Sequence, residues 1–426
     1  MSLDSLYAND PTLLKTLTDP LAHARSLLSK VIAGEEQNAL TLYLVTASYV
    51  TERPLSAFLQ GRSGLGKTHV LEGVTSLFPP SDLIKISRST DKWLDYCENL
   101  LMHKILYFGQ LRDMDKSESL QMLLTENGIA TMTLERAGKT FAPTQKTTQG
   151  LFSVLSSTVE HYEPQMDTRV FTLTPDDSQE QTARIMALQQ HQSAYPWEII
   201  DVKEPTEELR KAVSWLRDLG VKDVVVPFAK LIKMPTHVTR ARRDWQKLEG
   251  LTKSLAMLRQ TQRDIIEVGG KKYVVAEWQD FLEVLNIAGG ILHGTLTGLS
   301  ERQQTVLSIV GEYFMGSEFS VSDVCERCRS KVGLGPTAMK RLLADLCRLD
   351  YVEQTRRGGG YSRQNLYRLL SDGHDKLGSV AYIPSEADMG DFVTEWRSLL
   401  GGAQWHRYEG LRLVPKDAVQ VEVKVV

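Results

Sequence analysis

The stretch "FLQGRSGLGKTHVLEGV" runs from Phe58 to Val74, and within it Gly61, Gly66, Lys67 and Thr68 satisfy the spacing G-x-x-x-x-G-K-[ST] in full. That spacing suits a triphosphate. Glycines at 61, 64 and 66 let backbone N–H groups converge on a β-phosphate, and the amino terminus of a following helix adds partial positive charge. Lys67 is then set to reach the β/γ-oxygens, and the Thr68 hydroxyl to ligate Mg²⁺. ATP and Mg²⁺ are the expected cofactors. Gly61, Gly64, Gly66, Lys67 and Thr68 are the expected binding residues, and Thr68 the metal ligand.

Some forty residues on, "HKILYFGQLRDMD" brings a short strand, Ile105 to Phe108, to the place where P-loop enzymes hold Mg²⁺ through an acidic residue and polarise the attacking water with Glu. Those places carry Gly109 and Gln110. An amide keeps the reach of Glu but accepts no proton, so binding should survive while hydrolysis slows, as in a Glu-to-Gln form. Gln110 is one catalytic candidate. The end of the next apolar run, "FSVLSST", offers Ser156, Ser157 or Thr158 as a group that senses the γ-phosphate, with Ser157 as the expected site residue. "DTRVF" places Arg169 just before a further strand, where an arginine can cross a subunit boundary and neutralise the transferring phosphate.

These residues need a frame. Apolar runs at Ser56–Leu59, Leu83–Ile86, Ile105–Phe108, Leu151–Leu155 and Val170–Leu173 alternate with helical stretches, which predicts a mainly parallel sheet with crossovers. Helical spacing from Leu13 to Tyr49 predicts two helices leading into it. Residues 178–265 read as mostly helical, a small lid, and "NIAGGILHGTLTGLS" reads as a glycine-marked linker. From Leu299 to Leu370, "SERQQTVLSIVGEYF", "SVSDVCERCRSKV" and "GPTAMKRLLADLCRL" predict three helices, and "YVEQTRRGGGYSRQNLYRLL" a basic hairpin around Gly358, Gly359 and Gly360. Three helices and a basic hairpin make the winged-helix pattern. "AVQVEVKVV" is expected as a terminal strand.

The bulk numbers set bounds. A chain of 426 residues, 42% hydrophobic and 24% charged, is globular and exceeds one usual core. No window holds eighteen uncharged apolar residues and the amino terminus lacks a basic-then-apolar segment, so a soluble cytoplasmic protein with no membrane contact is expected. Four cysteines are too few for a disulfide framework, and Cys325 and Cys328 form a C-x-x-C without a second pair at zinc spacing. The net charge of −3 excludes a uniformly basic coat, but its distribution is uneven: Leu299 to Leu370 holds eleven Lys and Arg against eight Asp and Glu, a local +3, so the remainder carries −6. Lys340, Arg341, Arg356 and Arg357 on the third helix and the hairpin are the expected duplex contacts, alongside Arg348, Arg363 and Arg368.

In the order of its parts the chain resembles AAA+ ATPases of the minichromosome maintenance type, close to the self-loading replicative helicases of mobile genetic elements. The resemblance spans Leu55 to Arg263 plus the winged helix. It rests on "GRSGLGKT", "ILYFGQLRDMDKSESLQMLLTENG", "IATMTLERAGKTFAPTQKTT", "FSVLSST" and "DTRVF". It implies a pre-sensor hairpin at "IATMTLERAGKTF" projecting into the pore of a hexamer, with Arg136 and Lys139 gripping DNA. It also implies a trans-acting finger at Arg169 and a lid arginine among Arg240, Arg242 and Arg243, with Arg243 as the site residue. The residues themselves predict a hairpin with two cations at its tip. Two departures stand out: the missing Asp-Glu pair, and a short P-loop-to-"ILYF" span without room for the extra hairpin of full minichromosome maintenance proteins.

The expected layout is an amino-terminal helical segment at 1–54, an AAA+ ATPase core at 55–177, a helical lid at 178–285, a winged helix at 299–371 and a carboxyl-terminal extension at 372–426. The expected activity is ATP-dependent DNA unwinding by a hexameric ring in replication of a mobile element. The partners are DNA, single-stranded in the pore and duplex at the winged helix, and further copies of the chain. The rival expectation is an ATP-switched replication initiator, loader or transcriptional regulator that does not translocate.

Overall fold

Asp10 and Asp19 each open a helix that begins with proline. Asp10 accepts the N–H groups of Thr12 and Leu13 to start α1 (Pro11–Thr18), and Asp19 accepts that of Ala22 to start α2 (Pro20–Val31). The third helix, α3 (Glu36–Ala47), is buried along its whole length from Ala39, so it reads as apolar on all sides. The structure, a computed structural model, describes residues 10–86, 93–97, 99–109, 118–126, 128–137, 140–159, 166, 169–198, 203–234, 241–297, 301–329, 332–348, 351–356, 365–370, 386–401 and 403–416.

The central sheet is parallel. Its strands are β1 (Ala57–Gln60), β2 (Leu83–Ile86), β3 (Lys104–Phe108), β6 (Phe152–Thr158) and β7 (Phe171–Leu173), in the order β2-β3-β6-β1-β7. Between β3 and β6 come a helix, α5 (Glu118–Glu126), and an antiparallel pair, β4 (Gly128–Ala137) and β5 (Thr140–Gln149). Helix α4 (Lys67–Thr75) follows β1. Burial on both faces favours apolar residues in the inner strands β1, β3 and β6: Phe58, Leu106, Phe108, Phe152 and Val154 are each no more than 3% exposed. Replacing such a side chain with alanine costs about 3–5 kcal/mol for Phe.

The chain divides into two compact units, which do not follow the linear layout. One comprises residues 1–231, 245–288 and 384–426. Besides the parallel sheet it holds α6 (Gln179–Ala194), α7 (Lys203–Asp218), most of α8 (Ala241–Leu258), and a second sheet of order β15-β14-β9-β10-β8. The strands are β8 (Asp223–Val225), β9 (Ile265–Val268), β10 (Lys271–Val275), β14 (Gln404–Glu409) and β15 (Arg412–Pro415). The region expected as a mostly helical lid also carries three strands, of three to five residues, too short to show a period of two against the long helices around them. Gly269 and Gly270, both at positive φ, turn β9 into β10. The carboxyl-terminal segment is part of this unit, for β14 pairs with β9, Trp405 opposite Ile266. Helix α13 (Glu386–Leu399) precedes it. The expected strand "AVQVEVKVV" lies outside the described residues.

The other unit comprises residues 232–244 and 289–383. Helices α10 (Glu301–Phe314), α11 (Val321–Cys328) and α12 (Pro336–Arg348) pack on an antiparallel sheet of β11 (Glu318–Ser320), β12 (Val352–Arg356) and β13 (Leu366–Leu369), ordered β11-β13-β12. Its core joins Val306, Val310, Phe319, Val324, Met339, Leu343 and Tyr367, with Cys328 inside and Cys325 against it. Ser320 and Asp323 close a capping box that starts α11. The segment expected as a linker is instead helical as far as Thr297, the end of α9 (Trp278–Thr297). Gly289 and Gly290 each cost that helix about 1 kcal/mol. Burial of Phe281, Val284, Ile287 and Ala288 offsets the cost.

Candidate nucleotide site

Strand β1 ends at Gln60, the loop spans Gly61 to Gly66, and α4 begins at Lys67. Gly64 at φ 89° and Gly66 at φ 74° sit in the left-handed region, and a Cβ at either would meet nothing within 4 Å. Gly66 is the cap residue of α4 and supplies no side chain, so the first amides of the helix have no side-chain acceptor. Their N–H groups and the helix dipole suit a phosphate. Lys67, 7% exposed, donates from Nζ to the carbonyls of Gly61 (2.7 Å) and Arg62 (2.6 Å), folded across the loop it would share with a phosphate. Burial pulls its ammonium below the usual lysine value. Thr68 is exposed on the first turn, where its hydroxyl can take a cation. These residues fit a triphosphate with Mg²⁺.

The sheet order brings three strand ends to this edge. β6 lies between β1 and β3, with Gln60 opposite Thr158 and Phe108 opposite Ser156. The N–H of Gly61 donates to the Thr158 carbonyl (3.1 Å), and Ser157 Oγ donates to the Gly109 carbonyl (2.7 Å). Among the sequence alternatives, Ser156 is fully buried inside the strand, and Ser157 is the one that joins the β3 end. A Cβ on Gly109 would meet nothing within 4 Å, so the position has room for the carboxylate it lacks. Gln110 lies outside the described residues.

Arg169 stands at the other edge. Phe171 pairs with Ala57, so the start of β7 is level with the start of β1. Four residues separate Ala57 from Gly61, so at about 3.3 Å per residue the start of β7 lies about 13 Å from the loop along the strand. Arg169 Nε donates to Thr125 Oγ1 (2.9 Å) and its NH1 to Gln121 Oε1 (3.2 Å), both on α5. Sequence reasoning missed Lys247, 5% exposed, which donates to the Val170 carbonyl (2.6 Å) and lies 5.4 Å from the Phe171 ring centre, fixing that end of β7.

The β4–β5 ribbon is paired without a break from Gly128 opposite Gln149 to Ala137 opposite Thr140, with Arg136 opposite Phe141. Lys139 lies outside the described residues. At its base Thr148 Oγ1 donates to the Leu94 carbonyl (2.8 Å). In the other unit, Lys340 and Arg341 are exposed on the face of α12 opposite buried Met339, Leu342, Leu343 and Leu346, and Arg356 is exposed on β12. Arg348 pairs with Asp345, and Arg368 with Glu318 and Glu353. Arg357 and Arg240 lie outside the described residues. Arg243 is exposed on α8, in the second unit's share of that helix.

A family model described as the MTBMA_p00010 P-loop domain matches residues 13–215, from α1 to α7. No curated protein matches the chain. Among the described residues no helix is long and apolar enough to cross a membrane. The loop geometry, the parallel sheet that carries it and the family match over both give residues 13–215 the α/β fold of a P-loop NTPase domain.

Proposed function

We propose that the chain is an ATP-dependent DNA helicase of the AAA+ type, acting in replication of a mobile element as a cytoplasmic homo-oligomer, with the hexamer as its working ring. The observation that carries this reading is the placement of Arg169 on the sheet edge away from Gly61 and Lys67. An arginine at the start of β7 is displaced from its own triphosphate and can serve a neighbour's once it leaves Gln121 and Thr125. Two more features support a motor on DNA. A ribbon with ten-residue arms carries Arg136 one residue from the end of its first arm, and Lys139 follows in the sequence, two cations that suit phosphate contacts. The second unit has its helices and strands in the order a winged helix would have, with Lys340 and Arg341 exposed on the third helix, as suits a major groove, and Arg356 exposed on β12, as suits phosphate contacts; Arg357 follows it in the sequence.

A second reading is favoured by Gly109 and Gln110: without a carboxylate at the β3 end, ATP serves as a switch for an initiator or loader that does not translocate. Unwinding of a forked duplex by chains carrying Gln110→Glu, alone and with Gly109→Asp, separates the two. The motor reading expects ATPase to rise by about 100-fold or more on Gln110→Glu, the scale of a positioned general base, and unwinding to follow. Absence of both, with and without DNA, sinks it.

A further inference from the structure

The wall of the P-loop beside β7 is built by residues outside the motif. Pro175, two residues past β7, lies against Gly61: a Cβ on that glycine would stand 3.4 Å from Pro175 Cδ and 3.0 Å from Leu65 Cδ1. Proline has no N–H, so the peptide groups flanking it are its backbone handles. Both are held from the start of α3. Glu35, 6% exposed, accepts the Asp176 N–H at Oε1 (2.8 Å) and Asn38 Nδ2 at Oε2 (2.6 Å). The same Asn38 Nδ2 donates to the Thr174 carbonyl (3.0 Å). One carboxylate and one amide therefore grip the chain on each side of Pro175. Burial, with Asp176 nearby, pushes the Glu35 carboxyl above its usual value, so the fold keeps an acid where desolvation opposes it.

Segment 31–38 is tied to the loop region at two further points. His69, one residue past Thr68, has its Nε2 2.8 Å from the Val31 carbonyl, and Gln181 Nε2 donates to the Ala33 carbonyl (2.6 Å). These ties hold the helix after the P-loop and the segment after β7 to a single strap. We propose that Glu35 and Asn38 are positioning residues for the nucleotide, fixing Pro175 against Gly61 and so setting the shape of the loop before phosphates arrive. The proposal rests on the nucleotide-binding reading of that loop. Without the grip, the loop must be ordered at the moment of binding, and affinity falls by that cost.

The test measures binding of a fluorescent ATP analogue with Mg²⁺ to the full chain, with thermal unfolding recorded separately without nucleotide. Glu35→Ala and Asn38→Ala are each expected to raise the Kd about tenfold, the scale of one charge-assisted hydrogen bond. Glu35→Gln should raise it less, because its Oε1 still accepts the Asp176 N–H. Ser254→Ala is the control: it removes a buried 2.7 Å bond to the Leu44 carbonyl at the far end of α3, and should lower Tm without moving the Kd. An unchanged Kd in both Glu35→Ala and Asn38→Ala overturns the proposal, as does an equal rise in Ser254→Ala, which would mark general loosening of the helix. If Glu35→Ala does not fold, Asn38→Ala, which keeps the carboxylate, decides. A wild-type chain that fails to bind the analogue overturns the nucleotide reading itself, and the positioning role with it.

Discussion

Ser157 donates its hydroxyl to the Gly109 carbonyl at 2.7 Å, locking the end of β6 to the end of β3 beside the P-loop. The hydroxyl is thereby committed to backbone in this arrangement. Its first effect is to aim the β3 end, where Gln110 follows. Ser157→Ala leaves that carbonyl without its partner and should cost about 1–3 kcal/mol of stability. Measured in a Gln110→Glu background, it should lower kcat while leaving the Kd for the ATP analogue unchanged. A large rise in Kd with kcat intact would instead make Ser157 a direct phosphate ligand.

How much of this was legible in the sequence follows from how local each feature is. Gly61 to Thr68 are neighbours in the chain, and the five apolar runs match the five parallel strands to within a few residues, because the sheet's inner strands are largely buried and mostly apolar along their length. Pairings that span the chain leave no such mark. Trp405 opposite Ile266, or Glu35 under Asp176, joins residues whose own neighbourhoods say nothing of the partner. Strand β11 has three residues, too few for a period. Gly289 and Gly290 read as a break because propensity ignores the burial that carries α9 through them.

Lys222 gives a pH dependence with a fixed sign. It donates to the Arg217 carbonyl in a cluster with Asp218, Asp82 and His103, where Tyr49 and Arg217 also bond Asp82. Burial first, and then the charge of Arg217, lowers its amine from 10.5 to about 8. Between those values the unfolded chain binds a proton that the folded chain has lost, so the unfolding free energy should rise with pH through that window and be smallest below it. With solvent screening the gain is on the order of 1 kcal/mol. Above about pH 10 the buried Tyr43 and the half-buried Tyr408, held above the usual tyrosine value, act in the opposite sense as the unfolded chain ionises there. Denaturant unfolding from pH 7 to 10 checks the rise, and Lys222→Met should flatten it.

Removal of residues 384–426 should damage the P-loop unit and not merely shorten the chain. Strand β14 covers the edge of β9, and Tyr408 packs edge-on against Trp215, 5.3 Å between ring centres, while its hydroxyl donates to Gln260 Oε1 at 3.1 Å. Lys416 and Arg397 both pair with Asp264. Without these strands β9 becomes an open edge, so loss of solubility and a Tm lowered by several degrees are expected. A truncated chain that stays soluble, with unchanged Tm and nucleotide affinity, would show the segment to be dispensable to that unit.

The separation of Arg169 from Gly61 makes a prediction that a single chain cannot satisfy. Arg169→Ala should keep nucleotide affinity, since the residue stands at the far edge of the sheet, and should cost about 1 kcal/mol through its bonds to Gln121 and Thr125. Turnover in the Gln110→Glu background should fall by about 1,000-fold, the scale of a lost arginine finger. Lys67→Ala should be inactive for the opposite reason, losing the phosphate contact while keeping its arginine. Mixed together, the two inactive chains are expected to recover part of the ATPase. An Arg169→Ala chain binds the nucleotide in such a mixture, and a Lys67→Ala neighbour supplies the guanidinium. Recovery that grows with protein concentration and vanishes when one chain carries both changes would place the arginine in trans. A mixture as inactive as its parts would confine Arg169 to bracing α5 against the start of β7.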